Sequence, residues 1–74
     1  PEARARERLI FGLRQLAGVG RRQFLEETGY DLLNLVGPQL VPLIDQDLLR
    51  WSGEQLQLTR RGLLVSDALW PRLL

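Results

Sequence analysis

The fold is decided by residues 49–59, LRWSGEQLQLT. Apolar and polar residues alternate on both sides of a short stretch that contains Gly53. A period of two around a glycine-containing turn is typical of two paired β-strands. These residues therefore predict a short β-hairpin, with strands at 49–51 and 56–58 and a turn at 52–54.

Three helices are predicted before this hairpin. The first is predicted over residues 2–17, because apolar side chains recur every three to four residues along it. It is expected to end at Gly18, since glycine readily adopts the left-handed conformation that closes helices. Its expected inward positions are Ala5, Leu9, Ile10, Leu13, Leu16 and Ala17. The second covers residues 21–28, buries Phe24 and Leu25, and ends at Gly29.

The third helix is predicted to begin at Pro38 and to end near Asp47, since proline is well tolerated in a first helical turn. Its expected inward residues are Leu40, Val41, Leu43 and Ile44. Pro42 predicts a kink or a tighter first turn. Residues Asp31 to Val36 fit either an additional helical turn or a loop.

A last helix is predicted after the hairpin, over residues 60–70, with Thr59 as its cap and Pro71 helping to end it. Its expected apolar positions are Leu63, Leu64, Ala68 and Leu69. Three helices, a hairpin and a closing helix follow the order of a winged-helix domain. The predicted fold class is therefore mostly α (α+β), with one winged-helix-like domain over residues 1–74.

The composition narrows the possible functions. A chain of 74 residues with 45% hydrophobic residues is long enough for one small core. It contains no cysteine and no histidine, which excludes disulfides, the usual zinc sites and Cys-ligated iron-sulfur clusters within these residues. We therefore predict no catalytic, cofactor-binding or metal-binding residue in the chain.

The hydropathy of the chain and its first residue bear on its cellular location and on whether it is part of a longer protein. No apolar run reaches the roughly 20 residues of a membrane span, and no signal peptide is recognisable, so a cytoplasmic location is expected. The chain begins at Pro1 and contains no methionine. We interpret it as a domain taken from a longer polypeptide.

The charge distribution bears on nucleic-acid binding, the alternative function for a winged helix. All ten basic residues are arginines, and none lies between Arg22 and Arg50. The third helix would enter the major groove in such a protein, but it has no basic residue. A free-standing regulator that binds nucleic acid is therefore a weakened alternative, and a generic protein-interaction module is a third. The Arg60-Arg61 pair is unexplained, although an acidic partner surface would suit it.

A set of short pieces, spread over nearly the whole chain, carries a family resemblance. The pieces are Glu7, Gly12-Leu13-Arg14, Gly18-Val19, Phe24, Gly29-Tyr30-Asp31, Leu56-Gln57-Leu58-Thr59 and Gly62. In this order and spacing they resemble the C-terminal domain of the oxygen-independent coproporphyrinogen III oxidase (HemN/HemW-like) family. The similarity is closest to its branch of radical SAM haem chaperones.

The resemblance implies a parent protein with an N-terminal radical SAM barrel onto which this domain packs. In the family, a CxxxCxxC motif in that barrel ligates a 4Fe-4S cluster that cleaves S-adenosylmethionine. The parent would be a coproporphyrinogen III oxidase or a chaperone that binds haem. No cluster cysteine is present here, so no catalytic or cofactor-binding residue is carried over.

One face of the first helix is the candidate interdomain docking site. Phe11 is predicted to point away from the core, with Glu7 and Arg14 beside it. Either these residues dock the domain onto the barrel, or Phe11 is a single exposed aromatic residue between solvated charges. Arg14 could also contact a tetrapyrrole carboxylate or pair with a protein carboxylate. Gly12 and Gly62 mark either close backbone approaches or tolerated defects.

Overall fold

A computed structural model describes residues 2–74 of the chain. Pro1, the first residue of the predicted domain 1–74, lies outside the described residues. Within residues 2–74 the chain forms five α-helices and three β-strands. In chain order they are α1 (Glu2–Leu13), β1 (Val19–Gly20), α2 (Arg21–Thr28), α3 (Leu32–Asp45), β2 (Leu49–Ser52), β3 (Gln55–Leu58), α4 (Arg60–Leu64) and α5 (Ser66–Leu73).

The three strands form one antiparallel sheet in the order β1-β3-β2, which confirms the predicted hairpin and the mostly helical, winged-helix-like class. Ser52 pairs with Gln55, so the hairpin turn has two residues, and Gly53 takes the positive φ of 60° that this turn needs. The sequence did not predict β1. Its two residues are too few to show a strand period.

The core lies between the helices and the inner side of this sheet. Leu9 of α1, Phe24 of α2, Leu43 of α3 and Leu56 of β3 are each at most 1% exposed. Leu69 and Leu73 of α5 close the same cluster. Every helix except the short α4 therefore contributes a buried apolar side chain to one core.

Helix α1 ends at Leu13, four residues before its predicted end at residue 17. The amide of Gln15 donates to the carbonyl of Gly12, so the last turn tightens and the chain leaves the helix. Leu16 and Ala17 were expected to face inward, but both are exposed. Gly18 has a positive φ of 76°, which lets the chain enter β1 against the backbone of Leu56.

Helix α2 has the predicted bounds, and Gly29 closes it in the left-handed conformation with its amide donating to Leu25. Phe24 is buried as expected. The prediction for Leu25 is wrong, because this side chain is 45% exposed. Adjacent helical positions differ by about 100° in direction, and only Phe24 faces the core.

Helix α3 consists of two helical segments joined at a kink, and the predicted helix from Pro38 is the second segment. Residues 32–35 form the first segment, so the alternative left open by the sequence is resolved as an additional helical turn. Val36 has a non-helical φ of −134°, and this kink lies next to Pro38, whose ring cannot continue the regular hydrogen bonding. The helix also ends at Asp45 instead of Asp47. Val41 was expected to face inward, but it lies on the outer side of the helix and is 59% exposed.

The predicted last helix is two helices, since Val65 has non-helical backbone angles between α4 and α5. Thr59 caps α4 as predicted, because its side chain accepts a hydrogen bond from the amide of Gly62 at 2.9 Å. The break leaves Leu63 and Leu64 exposed, while Leu69 and Trp70 of α5 turn into the core. Pro71 does not end the helix and lies inside α5.

Gly12 and Gly62 are both points of close approach. A Cβ atom on Gly12 would collide with the side chain of Val19. One on Gly62 would collide with the backbone carbonyl of Leu48. Neither glycine is merely a tolerated defect, but the expected backbone approach is present only at Gly62, since the close neighbour of Gly12 is a side chain.

Candidate docking surface

The outer face of α1 carries the predicted docking residues. Glu7 and Phe11 are four positions apart on the helix, and Arg14 follows three positions later, just after the helix ends. All three are exposed, and Phe11 has 60% of its surface open to solvent. The spacing brings the three residues to one side of the helix.

Phe11 has a cationic neighbour from its own helix. The guanidinium of Arg8 lies 5.9 Å from the centre of the Phe11 ring. Nη2 of Arg8 also donates to Oε1 of Glu27 at 2.9 Å. These two contacts fix Arg8 beside the ring, although the ring itself stays largely uncovered.

Arg14 makes a contact that the sequence did not reveal. Its guanidinium lies 5.6 Å from the ring centre of Trp70, which is buried in α5. Within residues 2–74 Arg14 forms no ion pair, so it has no pairing with a carboxylate of this domain. Because 56 positions separate Arg14 from Trp70, no local pattern could have indicated this contact.

An apolar groove lies beside Arg14, between the end of α1 and the start of α4. We call it the α1–α4 groove. It has a volume of about 260 Å³ and is lined by Leu13, Arg14, Gln15, Leu16, Leu58, Thr59, Arg60 and Leu63. Sequence reasoning missed this groove because it assigned Leu16 and Leu63 to the core.

Other arginines are used inside the domain. Arg6 donates to the backbone carbonyls of Leu73 at 3.1 Å and Leu35 at 2.9 Å, and to the carboxylate of Glu2 at 3.0 Å. Its side chain is only 15% exposed. Arg6 therefore fastens α1 to α3 and α5, and it is not available to bind a partner.

Arg21 and Asp31 form a two-point ion pair that connects the starts of α2 and α3. Nε and Nη2 of Arg21 donate to the two carboxylate oxygens of Asp31 at 2.8 and 3.1 Å. This hydrogen bonding to Arg21 is the main reason that the pKa of Asp31 lies below its usual value. The same contact raises the pKa of Arg21.

These contacts bear on the nucleic-acid alternative. Arg6, Arg8 and Arg21 each face a carboxylate of the domain itself. Helix α3, which would read the major groove, has no basic residue and ends at Asp45. In the part of the chain that the structure describes, nothing favours nucleic-acid binding.

The residues do not fit the cofactors that the resemblance implies for the parent. Cluster ligation uses cysteine thiolates, and axial haem ligands are mostly His, Cys or Met, none of which occurs in the sequence. Residues 2–74 also hold no group of three or more acidic side chains arranged for a metal ion. No step involving these groups is assigned to this domain.

The fold defines a winged-helix-like domain with two adjoining open surfaces, the outer face of α1 and the α1–α4 groove. The chain belongs to the HemN C-terminal domain family, whose model matches residues 1–65. This match confirms the resemblance predicted from the sequence, and it extends from α1 through α4. No curated protein and no solved structure matches the chain. None of the helices described here is long and apolar enough to cross a membrane.

Proposed function

We propose that this chain is a non-catalytic C-terminal accessory domain of a radical SAM protein that resembles oxygen-independent coproporphyrinogen III oxidase. The domain docks onto a barrel that precedes it in the same polypeptide. The observation that carries the proposal is the match of residues 1–65 to the HemN C-terminal domain.

The docking role is supported by the outer face of α1. A largely exposed phenylalanine beside an arginine is a combination that is enriched at the energetic centres of protein interfaces. Glu7, on the same face, supplies a polar group of opposite charge for the rim. An interdomain contact of this type needs no catalytic residue from the smaller domain.

In this proposal the preceding barrel binds the 4Fe-4S cluster and S-adenosylmethionine, and it also binds the tetrapyrrole or haem. The chemistry takes place in the cytoplasm and belongs to the barrel. This domain stabilises the barrel or orients its neighbouring surfaces.

The parentage is tested on the intact polypeptide. We expect it to contain a CxxxCxxC motif, to bind four iron atoms per chain after anaerobic reconstitution, and to cleave S-adenosylmethionine under reducing conditions. Replacement of the motif cysteines by serine should abolish the cluster. An intact polypeptide without the motif, or one that does not bind iron, would contradict the proposal.

The docking face is tested separately with Phe11→Ala in the intact polypeptide. We expect faster hydrogen exchange along α1 and a lower melting temperature of the barrel, since an interface anchor is lost. Val41→Ala is the matched control, because Val41 is 59% exposed on α3, close to the 60% of Phe11. Equal effects of the two substitutions would show that Phe11 is not a docking residue.

A further inference from the structure

We propose that the α1–α4 groove binds an acidic peptide segment that inserts leucine-like side chains between α1 and α4 and places its carboxylates on Arg14 and Arg60. The segment belongs to the domain that precedes this one in the same polypeptide, and in this respect the inference rests on the proposed function.

The charges of the groove determine the charge of its occupant. Arg14 and Arg60 are the charged residues that line it, and both are cationic. No carboxylate lines the groove, and neither arginine forms an ion pair within residues 2–74. An incoming carboxylate therefore meets arginines that have no competing anionic partner in this domain.

The position of Arg60 is electrostatically unfavourable within the domain. It is the first residue of α4, where a cation opposes the helix dipole. Its neighbour Arg61 is exposed at the same helix end. An acidic partner removes this unfavourable electrostatic arrangement at Arg60.

The size and lining of the groove favour side chains over a compact ligand. Pockets for small molecules usually measure about 300–1,000 Å³, and the groove has about 260 Å³. Leu16 is 93% exposed and Leu63 is 54% exposed, so apolar surface lies at its edges as well. One or two inserted aliphatic side chains fill this space and cover both leucines.

The small size also favours a tethered partner. A groove of this volume gains too little from apolar burial to hold a free peptide tightly, because association costs translational and rotational freedom. A segment in the same polypeptide pays much less of this cost, since tethering raises its effective concentration to the millimolar range or above. Arg14 belongs to both surfaces, so docking through Phe11 brings the barrel next to the groove.

Hydrogen exchange of the intact polypeptide tests this inference with two charge reversals. Arg60→Glu places a repelling charge in the groove, and a glutamate is well tolerated at a helix start. We expect amide exchange at residues 13–16 and 60–63 to become roughly tenfold faster in this variant, as when one interface anchor is lost. Arg22→Glu is the control, because Arg22 is an exposed arginine that does not line the groove. It should leave the exchange at residues 13–16 and 60–63 unchanged.

The outcomes separate this inference from the proposed function. If Arg60→Glu leaves the exchange of these residues unchanged while Phe11→Ala still exposes α1, docking stands and the acidic occupant is rejected. If neither substitution changes exchange, both the acidic occupant and docking through Phe11 are rejected, while the parentage is decided by the cluster motif and iron binding. Unchanged exchange in β2 and α2 verifies that Arg60→Glu is folded, and Leu16→Asp is a second variant that should expose the groove in the same way.

Discussion

Helix α1 and the segment that follows it have different surroundings, although each contains a leucine and an arginine. In the helix, Ala5 and Leu9 are buried, and Arg6 donates to the carbonyls of two other helices. In residues 14–17, just after the helix, Leu16 is almost fully exposed and Arg14 reaches no carboxylate of the described chain. We call these regions the closed end and the open end.

The difference shows that residue type does not assign a role to an arginine or a leucine in this domain. Arg6 has three acceptors because α3 and α5 both present groups to it. Arg14 lies against Trp70 of α5 and lines the α1–α4 groove, and the break at Val65 leaves the leucines of α4 pointing outward. The closed end therefore stabilises the fold, and the open end is the region that we propose for docking.

The largest expected effect comes from one substitution made at each end. Leu9→Ala should lower the free energy of unfolding by about 2–5 kcal/mol, because Leu9 is fully buried and a cavity remains. Leu16→Ala should change it by less than about 0.5 kcal/mol. Urea unfolding of the 74-residue chain measures both. Similar losses for the two variants would remove the distinction between the ends.

A second pair of substitutions tests the packing that supports α4. Gly62→Ala should cost about 1–3 kcal/mol, since its new methyl group meets the carbonyl of Leu48. Gly37→Ala, on α3, meets no atom within 4 Å apart from its chain neighbours, and the following Pro38 offsets the helix-propensity gain, so the change should stay within about 0.5 kcal/mol. The midpoint of urea unfolding should fall clearly for Gly62→Ala only. Equal shifts of the two midpoints would be inconsistent with the packing around Gly62.

The two arginines provide a third comparison. Arg6→Met should cost about 1–3 kcal/mol, because the carbonyls of Leu35 and Leu73 lose a donor. Arg14→Met removes only the contact with the Trp70 ring and should cost about 0.5–1 kcal/mol. If Arg14→Met proved the more destabilising in urea, Arg14 would belong to the closed part of the structure.

The smallest effect concerns the pH dependence of stability. Arg21 keeps the pKa of Asp31 below its unfolded value of about 3.9, so the ion pair stabilises the chain above that pH. The contribution is lost as the pH falls through the lower pKa of the folded state. Asp31→Asn should therefore reduce the loss of stability between about pH 5 and pH 2. Parallel pH profiles for the two chains would contradict this assignment.

The sequence predicts the elements that depend on local pattern. The hairpin at residues 49–58, the glycine that closes α2 and the cap at Thr59 are correct, because each depends on neighbouring residues. The sequence misses the early end of α1 and the break at Val65, and it leaves open whether residues 31–36 are helical. These depend on where distant segments meet, as do the contacts of Arg14 with Trp70 and of Gly62 with Leu48.

Of the two candidate surfaces, the sequence predicted the outer face of α1 but not the α1–α4 groove. Helical spacing was enough to place Glu7, Phe11 and Arg14 on the outer side of α1. The α1–α4 groove was not predictable, because its leucines have the spacing of core residues. Their exposure follows from the ends of two helices, which local periodicity does not determine.

Because Arg14 lies over the ring of Trp70, the fluorescence of Trp70 should be sensitive to events at the open end. Trp70 is buried, and the guanidinium of Arg14 over its ring is a cationic group that a carboxylate bound in the groove would draw away. With Trp51 replaced by phenylalanine, indole emission would come from Trp70 alone. A change in the wavelength or intensity of that emission would then report occupancy of the groove in real time, without any attached dye.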